Sequence, residues 1–183
     1  MPTNIPSDLE AALIEKARLE PIAFAELYQA FVRPVYRYVY SRIRNVRDAE
    51  DLTSQVFLEV FTGLPQYQHR GYFSAWLFSI ARNKVVDLFR RGRVELSMET
   101  ADLGPDDEVS PLVKMIQKED IYLLAQEIQR LDESDQELLR LRYIAELSFP
   151  EIATLLGLST ATAKKRLYRL LARIESQLEA NYE

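Results

Sequence analysis

The chain contains no cysteine, one histidine, one tryptophan and only five glycines among its 183 residues. Without cysteine there is no disulfide framework and no thiolate metal site, a usage that fits a reducing compartment. His69 has no second imidazole to share a metal with, and a serine nucleophile would lack a base. Scarce glycine leaves no loop of the kind that cradles a nucleotide. Neither an enzyme nor a bound cofactor is expected. No apolar run approaches the roughly 20 residues that cross a bilayer. Residues 1–6 show no basic segment leading into an apolar core, so neither secretion nor membrane insertion is expected, and the expected location is the cytoplasm.

What is present is helical periodicity and sharply divided charge. The net charge of −5 looks wrong for a nucleic-acid binder until it is split by segment. Residues 21–91 hold ten basic and six acidic side chains, whereas residues 92–120 hold three and eight. Local patches, not the total, set the field a phosphate backbone meets. Apolar residues at three- and four-residue spacing predict helices over 8–17, 22–40 (with Pro34 as a kink or a new start), 48–62, 74–90 and 112–131. Asp132 is expected to cap a further helix running to about Leu147. Glu95, Glu99, Asp102, Asp106, Asp107 and Glu108, with Gly104, Pro105 and Pro111, mark a flexible acidic linker. The expected fold is all-α. An N-terminal helical segment (1–20) precedes a helical bundle (21–91), the linker (92–118) and a helix-turn-helix domain (119–183). A tether of this kind predicts that the two halves move relative to each other.

The last third is the clearest signal. Ser148 is a good N-cap with Pro150 just inside the helix start. Ile152, Ala153, Leu155 and Leu156 form an apolar face, Gly157 supplies a left-handed stop, Leu158 plugs the core and Ser159 caps again. A second helix from Thr160 to about Gln177 carries Lys164, Lys165, Arg166, Arg169 and Arg173. This is the helix-turn-helix pattern, whose second helix enters the major groove of duplex DNA. Thr160, Thr162, Lys165 and Arg166 sit near its N-terminal half as base-edge readers; Arg173 belongs to backbone or solvent.

The first half adds two features. Residues 48–61 form a helix with Leu52, Val56, Phe57 and Val60 on one side and Asp48, Asp51, Gln55 and Glu59 on the other. The next helix interleaves aromatics with Arg82, Asn83, Lys84, Arg90 and Arg91, a mixture suited to single-stranded DNA, where aromatic faces stack bases and cations follow the backbone. Trp76 and the tyrosines Tyr28, Tyr36, Tyr38 and Tyr40 are read as packing surface. On these residues alone, a stand-alone helix-turn-helix regulator and a helical protein-binding adaptor both remain open.

Three segments together resemble the sigma-70 family of RNA polymerase sigma factors, in its extracytoplasmic-function (ECF) group. They are Asp48-Ala49-Glu50-Asp51-Leu52, Trp76-Leu77-Phe78-Ser79-Ile80-Ala81-Arg82-Asn83 and Glu151-Ile152-Ala153-Thr154-Leu155-Leu156-Gly157-Leu158-Ser159. The resemblance covers residues 24–176, and the linker is too short for the family's middle domain. It implies that Asp48, Asp51, Gln55 and Glu59 dock on the β′ clamp helices of core RNA polymerase. It implies that Tyr72, Arg82, Asn83, Lys84, Arg90 and Arg91 handle the opened minus-ten element, with a base flipped near Asn83. Ser159, Thr160, Thr162, Lys164, Lys165, Arg166 and Arg169 would meet the minus-thirty-five duplex, with the β flap and an anti-sigma factor as further expected partners. Ala163 and Lys165 depart from the family pattern in the recognition helix, which bears on the preferred promoter and not on the fold.

Overall fold

The structure, a computed structural model, describes residues 7–20, 22–68, 72–92 and 111–180, with side chains from residue 11 in the first segment and from residue 120 in the last. Among these residues every regular element is helical: α1 (Ser7–Leu19), α2 (Phe24–Ile43), α3 (Val46–Gly63), α4 (Phe73–Arg90), α5 (Pro111–Gln129), α6 (Glu133–Leu139), α7 (Phe149–Leu156) and α8 (Thr160–Ala180). The linker expected over 92–118 falls largely outside the described residues, as does His69; its C-terminal end from Pro111 is helical.

Helix α2 runs through Pro34 without a break. Proline cannot donate to the carbonyl one turn back, but Phe31, Val35, Tyr38 and Val39 on both sides of it are buried and hold the helix together. Each such side chain contributes about 1.5–3 kcal/mol of transfer free energy, an upper bound set by the unfolded reference. Helix α3 begins earlier than expected. Its cap is Asn45, not Asp48: Asn45 has extended backbone and its side chain accepts from the Asp48 N–H at 3.0 Å. Asp48 already lies in the first turn, where its carboxylate faces the positive end of the helix instead.

Asp132 does cap α6, accepting from the Asp135 N–H at 2.8 Å. The α-helix ends at Leu139, however, and residues Arg140–Ile144 form a π-helical turn. The Ala145 N–H reaches back to the Arg140 carbonyl at 2.9 Å, and Glu146 then stops the segment at φ 61°. A π turn inserts a residue into the helical repeat, so no periodicity in the sequence announces it.

The two halves pack on each other. Helix α4 packs on α7 and α2 packs on the π turn, and the buried side chains of both halves form one continuous core. The polar contacts across this seam have one sense: Arg37, Arg42 and Arg82 of the first half face Glu133, Glu137 and Glu146 of the second. The expectation of separate halves came from the tether alone; the seam charges, scattered over about a hundred residues of sequence, could not be matched in advance.

Candidate nucleic-acid interface

Helices α7 and α8 build the turn as the sequence prescribes. Ser148 and Glu151 form a reciprocal capping box: the Ser148 N–H donates to Glu151 Oε2 at 2.6 Å and the Glu151 N–H to Ser148 Oγ at 3.4 Å. Gly157 closes α7 at φ 66°, in the left-handed region that penalises a Cβ. Ser159 opens α8, accepting from the Thr162 N–H at 3.1 Å while the two hydroxyls meet at 2.7 Å. Along α8, Ala163, Leu167, Leu170 and Ile174 are buried. This i, i+4, i+7, i+11 stripe turns Lys164, Lys165 and Arg169 outward. Leu158, expected as a core plug, is only half-buried; Ala163 is fully buried, its small side chain seated inside the fold.

The cations of α8 are not equivalent. Lys165 and Arg169 are exposed and make no ion pair among the described residues, and Lys164 lies over the Tyr168 ring at 5.8 Å. Arg166 instead turns back toward α6. Its Nε donates to Asp135 Oδ1 at 2.8 Å and its guanidinium also meets the Ser134 hydroxyl. Arg173 joins the same carboxylate at 3.3 Å. Asp135 is almost fully buried, so one arginine expected to read bases is instead tied back to α6 as a strut under α8. Hydrogen bonds from the Ser134 hydroxyl and the Asp135 N–H hold the neighbouring Asp132 carboxyl below the usual range.

In the first half, Asp51, Gln55 and Glu59 are exposed along α3, with Asp48 half-buried at its start. Leu58 stands among them with 64% of its surface exposed. Sequence reasoning missed it, although an apolar residue out of phase with Leu52, Val56 and Val60 was the available signal. Glu59 is paired across to α4, where Lys84 Nζ lies 2.6 Å from it. Asn83 on α4 and Tyr72 at its N-cap are exposed, while Arg90 pairs with Asp87 at 3.0 Å. Arg91 is exposed at the helix end. Trp76 packs against Tyr67 and Phe73, with ring centroids at 4.6 and 5.6 Å.

Arg82 is drawn toward the second half. Its Nε lies 3.6 Å from Glu137 Oε1, the same oxygen that accepts from the Tyr38 hydroxyl at 2.6 Å. Arg42 donates to Glu137 Oε2 at 2.6 Å, and Arg140 lies 3.7 Å from that oxygen. Burial, with Glu137 beside it, pushes the Tyr38 hydroxyl well above the ordinary tyrosine range, so it stays a donor. Burial and the nearby Arg42 pull Arg140 below the usual arginine value, against Glu133 and Glu137. Nothing in the local sequence around Glu137 or Tyr38 marks this cluster, because those two residues lie 99 positions apart.

Comparison with known proteins separates the same two halves. Residues 27–94 match the family model for sigma-70 region 2, and residues 122–174 match that for sigma-70 region 4. The ECF RNA polymerase sigma factor BldN of Streptomyces coelicolor is 35% identical over 86% of this chain, which spans 61% of that protein's length. The ECF sigma factor ShbA of Streptomyces griseus is 31% identical over 82% of this chain and 85% of its own. Among solved structures, CnrH in complex with the cytosolic domain of CnrY shares the fold, with a TM-score of 0.66 at 24% identity over 92% of this chain and 96% of that one. The region 2 match leaves the stand-alone regulator and the adaptor without support. No helix among the described residues is long and apolar enough to cross a membrane. With a region 2 half and a region 4 half in one polypeptide, the chain belongs to the ECF group of the sigma-70 family, non-enzymatic subunits that initiate transcription with core RNA polymerase.

Proposed function

We propose that this sigma factor reads a promoter at two points with separate helices of separate halves, working in the cytoplasm. Residues 21–91 are the half that docks on polymerase and opens DNA, and residues 119–183 the half that holds duplex. The observation that carries the reading is the exposure of two different polar faces: Lys165 and Arg169 on α8, and Asn83 on α4. Cations free of internal partners suit the phosphates and base edges of the minus-thirty-five duplex. Exposed Asn83, with Tyr72, Lys84, Arg90 and Arg91 on or beside α4, suits an unpaired minus-ten strand with one base held out of the stack. Asp48, Asp51, Gln55 and Leu58 form the face offered to the β′ clamp helices; Glu59 contributes less directly, being paired with Lys84. Exposed Ile121 and Tyr122 on α5 give the second half an apolar surface for the β flap.

A negative regulator of anti-sigma type is part of this reading, supported by a structural neighbour held in such a complex, RpoE of Bartonella quintana with the anti-sigma factor NepR. The test is reconstitution with core polymerase. Co-elution on gel filtration and start-specific run-off transcription are expected. A Lys164→Ala, Lys165→Ala, Arg169→Ala variant should keep co-elution and lose promoter binding with a shallower salt dependence. Undiminished promoter binding by that variant across a salt series would overturn the assignment of α8.

A further inference from the structure

We propose that Tyr38, Arg42 and Arg82 form an anion site on the first half that Glu137 of the second half occupies as an internal substitute for a DNA phosphate. The free protein is then held closed until this contact is broken. The inference rests on the reading of Arg82 as a minus-ten contact.

The geometry is that of a built anion site. One phenol and one guanidinium donate to the two Glu137 oxygens at 2.6 Å each, and a second guanidinium stands at 3.6 Å. Phe89 backs the Arg42 guanidinium at 5.9 Å. The carboxylate side chain is 5% exposed, so it depends for its charge on these donors together with Arg140 of its own half, 3.7 Å from Oε2. Ser74, Phe78 and Arg82 fall on one stripe of α4, at i, i+4 and i+8, and all three point to the seam. The Ser74 hydroxyl donates to Glu151, Phe78 packs edge-on against Tyr38 at 5.5 Å, and Arg82 meets Glu137. Seating the second half therefore engages the helix proposed to handle opened DNA.

The seated arrangement also cannot be the one that reads a whole promoter. Minus ten and minus thirty-five lie about 85 Å apart along duplex at 3.4 Å per step. A compact chain of this length has a radius of gyration of only about 16 Å. Residues 93–110 can bridge at most about 60 Å fully extended, a distance of the scale the separated halves need. The halves must come apart, and the Glu137 contact is the charged, buried link that parting breaks. Arg42 and Arg82 would then be left without their carboxylate, and a backbone phosphate supplies the same chemistry.

The experiment uses the absence of cysteine. Dyes on Ser54→Cys and Ser176→Cys, both on exposed helix faces, report the separation of the halves in the free full-length chain by single-molecule energy transfer. The parent is expected in one high-transfer population. Glu137→Gln should shift it to low transfer and tighten binding of a mixed-sequence single-stranded oligonucleotide at least tenfold. Adding Arg82→Ala should keep the low transfer and remove the gain. A gain that survives Arg82→Ala would overturn the role of Arg82 while leaving the closed state standing. Unchanged transfer and unchanged binding in Glu137→Gln would overturn the closed-state proposal itself. Should Glu137→Gln fold poorly, a short bismaleimide joining Arg37→Cys to Glu146→Cys, across the exposed pair at 3.1 Å, locks the seam instead. The locked protein should neither bind the oligonucleotide nor form open complexes with polymerase, and full activity of the locked form would sink the proposal.

Discussion

At the scale of single residues, four side chains carry consequences that can be measured. The Thr53 hydroxyl is buried in α3 with no hydrogen-bond partner among the described residues. Such a group costs about 1–3 kcal/mol by mutational evidence. Thr53→Val, nearly the same shape, should raise stability by about 1 kcal/mol in a denaturant titration. Tyr38 has a raised native pKa, so its protonated form is favoured in the folded chain. That contribution is complete below the unfolded tyrosine value of about 10 and is lost as the pH climbs above it toward the native value. The denaturation midpoint should therefore fall more steeply above pH ~10 in the parent than in Tyr38→Phe, which lacks the titrating group. Arg166 and Lys165 are neighbours with opposite duties. Arg166→Ala should lower the melting temperature by loosening α8 from Asp135, with little change in salt dependence. Lys165→Ala should leave stability alone and reduce the salt slope of promoter binding by about 0.9. The sequence could nominate both as DNA contacts because both are cations near the N-terminal half of α8. Only the buried Asp135, 31 residues earlier, separates them.

At the scale of elements, legibility tracked how local the deciding interaction is. Ser148 and Gly157 were readable because an N-cap and a left-handed stop are complete within ten residues, whereas the reciprocal bond from Glu151 was added by the structure. Gly157→Ala meets nothing within 4 Å of its new Cβ. Its cost should therefore be the backbone penalty alone, about 1–2 kcal/mol, seen as an equal loss in unfolding free energy. Pro34 was ambiguous because the sequence weighs a missing N–H against packing that only the folded neighbours supply. The π turn at Arg140–Ile144 was invisible for a related reason. It sits where the chain must place Glu137 against α2, satisfy Arg142 on the Leu147 carbonyl at 2.8 Å and re-aim Ser148 for the next cap. A tertiary demand, not a propensity, sets it. The α3 face proposed to dock was half legible: its acids follow the period, whereas Leu58 breaks it and stands exposed among them.

At the scale of the whole molecule, the acidity that first argued against DNA binding acquires a location. Glu133, Glu137, Glu146 and Glu151 of the second half face the first half, and its free cations face away on α8. The fold class followed from periodicity, and the two helices proposed to meet DNA were nominated by their cations and aromatics. The seam did not, since pairing across about a hundred residues leaves no trace in either segment. One core predicts one transition: the free protein should unfold in a single cooperative step by calorimetry. Removing one partner of a buried ion pair costs about 3–5 kcal/mol, so Glu137→Gln should split that step into two, one for each half.

The buried Glu137 also has a meaning for competition among sigma factors. If the halves part in only one molecule in a hundred, apparent affinity for polymerase falls by that same factor of about 100, without altering a single contact with polymerase. A chain closed in this way is a weak competitor for a shared enzyme until something favours its open form. Substitutions of Glu137 would then retune how much of the cell's polymerase it captures without touching the α8 cations proposed to meet duplex DNA.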